Sequence, residues 1–275
     1  MLLLLAVLCM VLGHVFKIKR WGLYISVYEK PDEANLLNAI ALGHSINMVL
    51  PMKLLPVRFG DIVRFIWSGR KLKNGYPFSL ATVIADLYID LLTVGSMFFG
   101  LSLIGKGGEG LLRVARIYMN AFVFVIPFTA LCILFRKTVK KVIRAIASIF
   151  NEKIEFYLLY LTYLCISSLK DICVHIDKKK FVIHSVFMWL SYVASYVIFA
   201  EVVQSLGFYY STSDIFTKLF SGFNLYNIER GLIPVWGCYL LSPLVVCWIF
   251  SVIFSRKVDK SRARGGVRAG ISFLK

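Results

Sequence analysis

The feature that most limits what this chain can become is a recurring block, an apolar run of membrane-spanning length followed by a short basic loop. Crossing a hydrocarbon core about 30 Å thick takes about 20 apolar residues in a helix. Inside lipid the backbone N–H and C=O groups must be satisfied within the element, which leaves helices and closed barrels. Barrel strands alternate apolar and polar residues, and no such alternation runs through this chain. The pattern therefore predicts an all-α fold, a polytopic integral membrane helical bundle. Composition agrees, with 59% hydrophobic and 17% charged residues against about 45–50% and about 25% in soluble domains.

Five runs read as full spans: 1–16, 78–104, 117–135, 181–200 and 232–254. The first has no basic n-region and no small-residue cleavage site, so it reads as a retained helix rather than a signal peptide. Two further stretches are less regular. Residues 36–52 contain His44, Asn47 and Pro51, and 156–169 is a short aromatic run ended by Lys170 and Asp171.

The charges bear on those two stretches. The net charge is +17, which in a soluble chain would suggest nucleic acid. In a membrane chain, Lys and Arg mark the cytoplasmic side, so nucleic acid is not expected as a partner. Lys53, Arg58, Arg64, Arg70, Lys71 and Lys73 fall in 53–75 against Asp61. Arg136, Lys137, Lys140, Lys141, Arg144 and Lys153 fall in 136–153 against Glu152. If 36–52 and 156–169 each enter and return, or lie in the interface, most of the 32 Lys and Arg share one side with the N-terminus outside. That is the preferred reading: five full spans plus re-entrant or interfacial helices. Pro51 and Pro56 support it mechanically, since each lacks an N–H and disfavours helix at the residue before it. The competing reading of 36–52 is a kinked full span with snorkelling basic residues. Residues 1–255 form a single membrane domain on this reading, and 256–275 a basic, disordered cytoplasmic tail.

The densest chemical signal is Pro56-Val57-Arg58-Phe59-Gly60-Asp61-Ile62-Val63-Arg64, directly after the re-entrant stretch. Gly60 permits close approach or an unusual turn, and Asp61 is placed to cap the helix that follows. Arg58 and Arg64 flank a helix start, where the dipole and guanidinium groups both favour a phosphate. A plain basic juxtamembrane loop is the alternative. Asp86 and Asp90 lie i, i+4 within a span and so share a face. A carboxylate in a membrane needs a partner or a cavity. Arg58, Arg64 and Arg70 are the nearest candidates along the chain, and the reading is either a structural ion pair locking the helix to the Arg loop or a proton relay. The six cysteines form no C-x-x-C pair and the four histidines have no ligand spacing, so no metal, cofactor or nucleophile–base constellation is expected. The Gly-rich segment 105–110 lacks phosphate-loop spacing and reads as an external turn.

From about Gly43 to Val94 the chain resembles the flippase-like membrane domain of the lysylphosphatidylglycerol synthase transmembrane-region family. The residues carrying the resemblance are Asn47, then Pro56, Arg58, Gly60, Asp61 and Arg64, then Asp90 in the next helix. The stretch 181–207, with Trp189, Tyr196 and Leu206-Gly207, resembles the family's Trp-bearing helix. The sequence departs from the family at Ala85-Asp86, where Glu-Arg is usual. The family's soluble aminoacyl-transfer domain has no counterpart here, so the resemblance implies membrane lipid handling rather than lipid aminoacylation. It implies a flippase-like inner-membrane protein binding or translocating a phospholipid or lipid-linked glycan in envelope biogenesis. Arg58, Arg64 and Arg70 would hold the lipid phosphate, supported by Asn47, Pro56, Gly60, Asp61, Asp86 and Asp90. The alternative is a non-transporting scaffold or accessory subunit that partners a glycosyltransferase or other envelope synthase.

Overall fold

The computed structural model describes residues 1–49, 53–54, 57–103, 136–208, 230–232 and 234–239, with single positions at 116, 120, 123, 127, 241, 245, 248 and 249. Their architecture is helical. In chain order the elements are α1 (Leu2–Ile25), α2 (Glu33–Val49), β1 (Lys53–Leu54), β2 (Val57–Arg58), α3 (Phe59–Lys71), α4 (Gly75–Leu103), α5 (Arg136–Ala147), α6 (Glu152–His175) and α7 (Lys178–Ser205). The one ladder among them pairs β1 with β2, antiparallel, Lys53 opposite Arg58 and Leu54 opposite Val57. Among the described residues four helices, Leu2–Ile25, Gly75–Met97, Glu152–His175 and Lys178–Ser205, are long and apolar enough to cross a membrane. The expected spans 117–135 and 232–254, the turn at 105–110 and the tail lie wholly or largely outside the described residues.

Two expectations change. The first span does not stop at residue 16. It continues through Lys17, Lys19 and Arg20 to Ile25, because Arg20 is buried and paired with carboxylates of another helix. A charge ends a span only when nothing neutralises it. The stretch 156–169 is likewise no short dip or interfacial segment. It belongs to the continuous 24-residue α6, whose C-terminal half is buried through Cys165, Ser168 and Ile172. Lys170 and Asp171 do not break it, and the Asp171 carboxylate accepts a hydrogen bond from the Tyr28 hydroxyl. Burial and that bond together push the Tyr28 hydroxyl above its ordinary pKa.

Helices α1 and α7 pack antiparallel along their length. Ser195 Oγ donates to the Ala6 carbonyl at 2.6 Å, Phe16 stacks on Phe187, and Tyr24 meets Phe181. Gly13 is required at this seam, since a Cβ there would lie 2.5 Å from the Tyr192 ring. Asn151 caps α6 by accepting from Ile154 N–H at 3.0 Å. Asp177 caps α7 by accepting from Lys180 N–H at 3.0 Å.

Helices α2 and α3 form a hairpin that enters the bundle and returns. At 1.5 Å per residue they measure roughly 25 and 20 Å, each short of a full crossing. Both outer ends meet the end of α1: the Glu29 carboxylate accepts from Lys73 N–H at 3.1 Å, and Ser68, Lys71 and Leu72 line a recess with Ile25 and Glu29. At the inner end the His44 ring sits 5.0 Å from that of His14, midway along α1. The expected re-entrant course of 36–52 is what α2 follows, up to the residues described. Gly43 lets the hairpin close, because a Cβ there would lie 2.7 Å from the Gly60 carbonyl oxygen and 2.8 Å from Arg64 Cγ.

Helix α3 is turned inside out relative to a soluble helix. It buries Gly60, Asp61, Arg64, Ser68 and Gly69 and leaves Ile66 exposed. Polar groups inside and apolar groups outside is the arrangement lipid demands. The apolar core lies on either side of this polar face. Trp21, Tyr24, Ile40, Phe78, Ala81 and Ile172 pack in one cluster. Met10, Met188, Phe199, Trp236 and Tyr239 pack in another, between α1, α7 and the segment 234–239.

Candidate functional site

Three helices bring charges to one buried point. Asp86 and Asp90 come from α4, one turn apart. Arg64 and Asp61 come from the first turns of α3. Lys17 and Arg20 come from the second half of α1, again one turn apart. Asp86 is the centre and has no solvent exposure. One of its oxygens accepts from Arg20 Nη2, and the other accepts from Arg64 Nη2 at 2.9 Å. Arg20 Nη2 also donates to Asp90 at 2.7 Å, and Lys17 Nζ to Asp90 at 3.3 Å. Arg64 Nη1 donates to Asp61 at 3.2 Å, and the guanidinium lies over the Trp21 ring, 4.6 Å from its centroid.

Among the described residues, three cations here face three carboxylates, so the cluster is neutral as a set. Neutrality is what makes it tolerable, because an unpaired charge in a low-dielectric interior is expelled or must titrate. The hydrogen bonding is not saturated. Arg20 Nε and Nη1 and Arg64 Nε are buried and meet no acceptor among the described residues. The two guanidinium groups thus hold donors beyond those their carboxylates use, and an oxyanion is the chemistry such donors suit.

The expected structural pairing of α4 with the Arg loop is present as Arg64–Asp86. Gly60 lies in the first turn of α3, against Gly43 of α2. Asp61 sits inside the first turn of α3, which starts at Phe59. It is therefore not the residue before the helix, as a cap would be, and its carboxylate takes Arg64. Arg58 ends β2, immediately before α3, opposite Lys53. Asn47 lies in the last turn of α2. The side chains of Asn47 and Arg58, and the whole of Pro56, lie outside the described residues. Arg70 is exposed in the last turn of α3, about 9 Å along the axis from Arg64, so it is not part of the buried cluster.

Arg20 and Lys17 were missed in the sequence because they follow an apolar run and look like its end. The signal available was their i, i+3 spacing, which matches the i, i+4 spacing of Asp86 and Asp90 on another apolar helix.

Comparison with known proteins gives one result. The family described as Lysylphosphatidylglycerol synthase TM region matches residues 1–217, which takes in α1 through α7 and the whole charged cluster. No curated protein and no solved structure matches the chain.

Proposed function

Because the chain belongs to the lysylphosphatidylglycerol synthase transmembrane-region family, we propose that it is a flippase-like protein of the inner (cytoplasmic) membrane. It binds or translocates a phospholipid or lipid-linked glycan for envelope biogenesis. The observation that carries this reading is the buried cluster of Arg20, Arg64 and Asp86 at the inner part of a hairpin that only half crosses the bundle. On this reading the hairpin, whose second arm follows Arg58 and contains Arg64, carries a helix start and two arginines into the membrane. Helix starts and guanidinium groups are the usual means of holding a lipid phosphate.

In this scheme Arg58 meets the phosphate first and Arg64 second. Asp61 and Asp86 hold Arg64 in place, and Asp90 holds Arg20 and Lys17, until the phosphate competes for the same donors. Arg70, at the outer end of α3, contacts headgroups at the hairpin's mouth. Asn47, Pro56 and Gly60 support the phosphate site in this scheme.

The test is lipid movement in reconstituted vesicles, comparing wild type with Arg58→Ala and Arg64→Lys. Arg64→Lys keeps the charge in the cluster while removing the bidentate geometry. Both variants should slow movement of labelled phospholipid. Equal rates in all three, with folded protein, would sink the arginine role. Copurification with a glycosyltransferase, with no lipid movement by the isolated wild type, would favour the scaffold reading instead.

A further inference from the structure

We infer that α5 lies in the plane of the membrane and docks on the headgroup layer of an anionic leaflet. The inference does not rest on lipid transport. Helix α5 has 12 residues, roughly 18 Å, too short to cross. Its sequence, Arg-Lys-Thr-Val-Lys-Lys-Val-Ile-Arg-Ala-Ile-Ala, contains five cations and no acid. At about 100° per residue, Arg136, Lys137, Lys140, Lys141 and Arg144 share an arc of about 140°. Val139, Val142, Ile143 and Ile146 fill a separate arc of about 100°.

The apolar arc is not used up inside the molecule. Val142 is 52% exposed and Ile146 54%. The ridge they form continues through Ile149 and Phe150, also exposed, in the turn after the helix. Among the described side chains of the helix Ala147 is the buried one, and α6 is the main element that α5 packs on. In water this ridge would be an uncovered apolar patch. In hydrocarbon the five cations would be desolvated. The headgroup boundary satisfies both faces at once, the ridge entering the acyl edge and the cations meeting lipid phosphates. The start of α6 carries a matching surface: Phe156, Tyr157 and Tyr160 are all exposed, and Phe156 stacks on Tyr160. Exposed aromatics of this kind mark the membrane–water boundary. The absence of any acid on α5 selects an anionic surface over a zwitterionic one.

The test uses the full chain in nanodiscs, with the native cysteines replaced and a nitroxide on Ile146→Cys or on Lys141→Cys. Accessibility to oxygen against a nickel chelate reports depth. In discs containing phosphatidylglycerol, position 146 should favour oxygen and position 141 nickel. That contrast should collapse in Lys140→Gln/Lys141→Gln/Arg144→Gln (read at position 146) and shrink in purely phosphatidylcholine discs. If the cysteine-free chain does not fold, quenching of Ile146→Trp by brominated lipids, above the wild-type signal, reads the same depth. Three results would overturn the inference. One is equal nickel access at both positions in anionic discs. Another is an immobilised, dipolar-broadened spectrum at 146, which would place a second copy of the chain on the ridge. The last is an unchanged contrast in zwitterionic discs, which removes the anionic selectivity.

Discussion

Replacing Asp86 with Asn keeps the shape of the side chain and removes its charge, which makes it the sharpest probe of the buried cluster. The wild-type carboxylate has no solvent exposure and accepts from both Arg20 and Arg64. In Asp86→Asn, among the described residues, Lys17, Arg20 and Arg64 face Asp61 and Asp90, so the cluster carries one cation more than it has carboxylates. The amide also turns a donor toward one of the guanidinium groups. Removing one partner of a buried pair costs about 3–5 kcal/mol. At about 2–4 °C per kcal/mol for a chain of this size, melting falls by roughly 6–20 °C. Trp21 lies beneath the Arg64 guanidinium, so intrinsic fluorescence in detergent reads the loss locally as well as globally. The decisive arm is Asp86→Asn/Arg20→Met. It restores neutrality with an apolar chain of similar length, and buried pairs exchanged as a unit are often nearly neutral. The double variant should melt well above Asp86→Asn. The reasoning fails if Asp86→Asn melts within about 2 °C of wild type, the range of an ordinary surface change. It also fails if the two substitutions simply add.

Other predictions follow from the hairpin, the helix seams and the caps. Gly43→Ala forces a Cβ against the Gly60 carbonyl, costing about 1–3 kcal/mol, whereas Gly22→Ala, whose nearest contact would be 3.6 Å, should melt near wild type. Ser195→Ala removes a buried hydroxyl placed 2.6 Å from both the Ala6 carbonyl and the Tyr239 hydroxyl. It should cost about 1–3 kcal/mol in thermal unfolding, while Ser148→Ala, exposed after α5, should not. The Asp177 cap bond to Lys180 N–H holds its carboxyl below the ordinary 3.8. The stability it gives is therefore full above that value and lost as pH falls through the lower folded value. The melting difference between wild type and Asp177→Ala should be constant near neutrality and shrink under acid. A difference that grew on acidification would reverse the sign and refute the cap.

Much of this architecture was legible in the sequence, because the blocks of apolar residues obey a length rule set by lipid. The re-entrant course of 36–52 was legible too, from prolines and basic residues where an uninterrupted span should not have them. The misreadings have one physical cause. A span 1–16 stops short of Lys17 and Arg20, and a run 156–169 stops at Lys170 and Asp171, yet Arg20 and Asp171 are each matched by a group far away in the chain: Arg20 by Asp86 and Asp90, 66 and 70 residues on, Asp171 by Tyr28, 143 residues back. A local window sees the desolvation penalty and not the partner that offsets it.

The same reasoning explains why the cluster and the hairpin occur together. A hairpin that stops halfway brings a non-helical turn to membrane depth, and backbone of that kind is tolerated only where protein or water covers it. Helix α3 supplies the cover by turning Gly60, Asp61, Arg64 and Ser68 inward. That polar face must then be answered by polar groups on the helices it meets. Asp86 and Asp90 on α4 and Lys17 and Arg20 on α1 are that answer. Replacing the whole cluster by apolar residues of equal volume would leave the helices able to pack but would remove what draws the polar face of α3 inward. Such a protein should keep its helical content by circular dichroism while the hairpin becomes open to protease. Unchanged protease resistance would mean that the apolar core alone, around Trp21, Ile40 and Phe78, is enough to hold the hairpin in place.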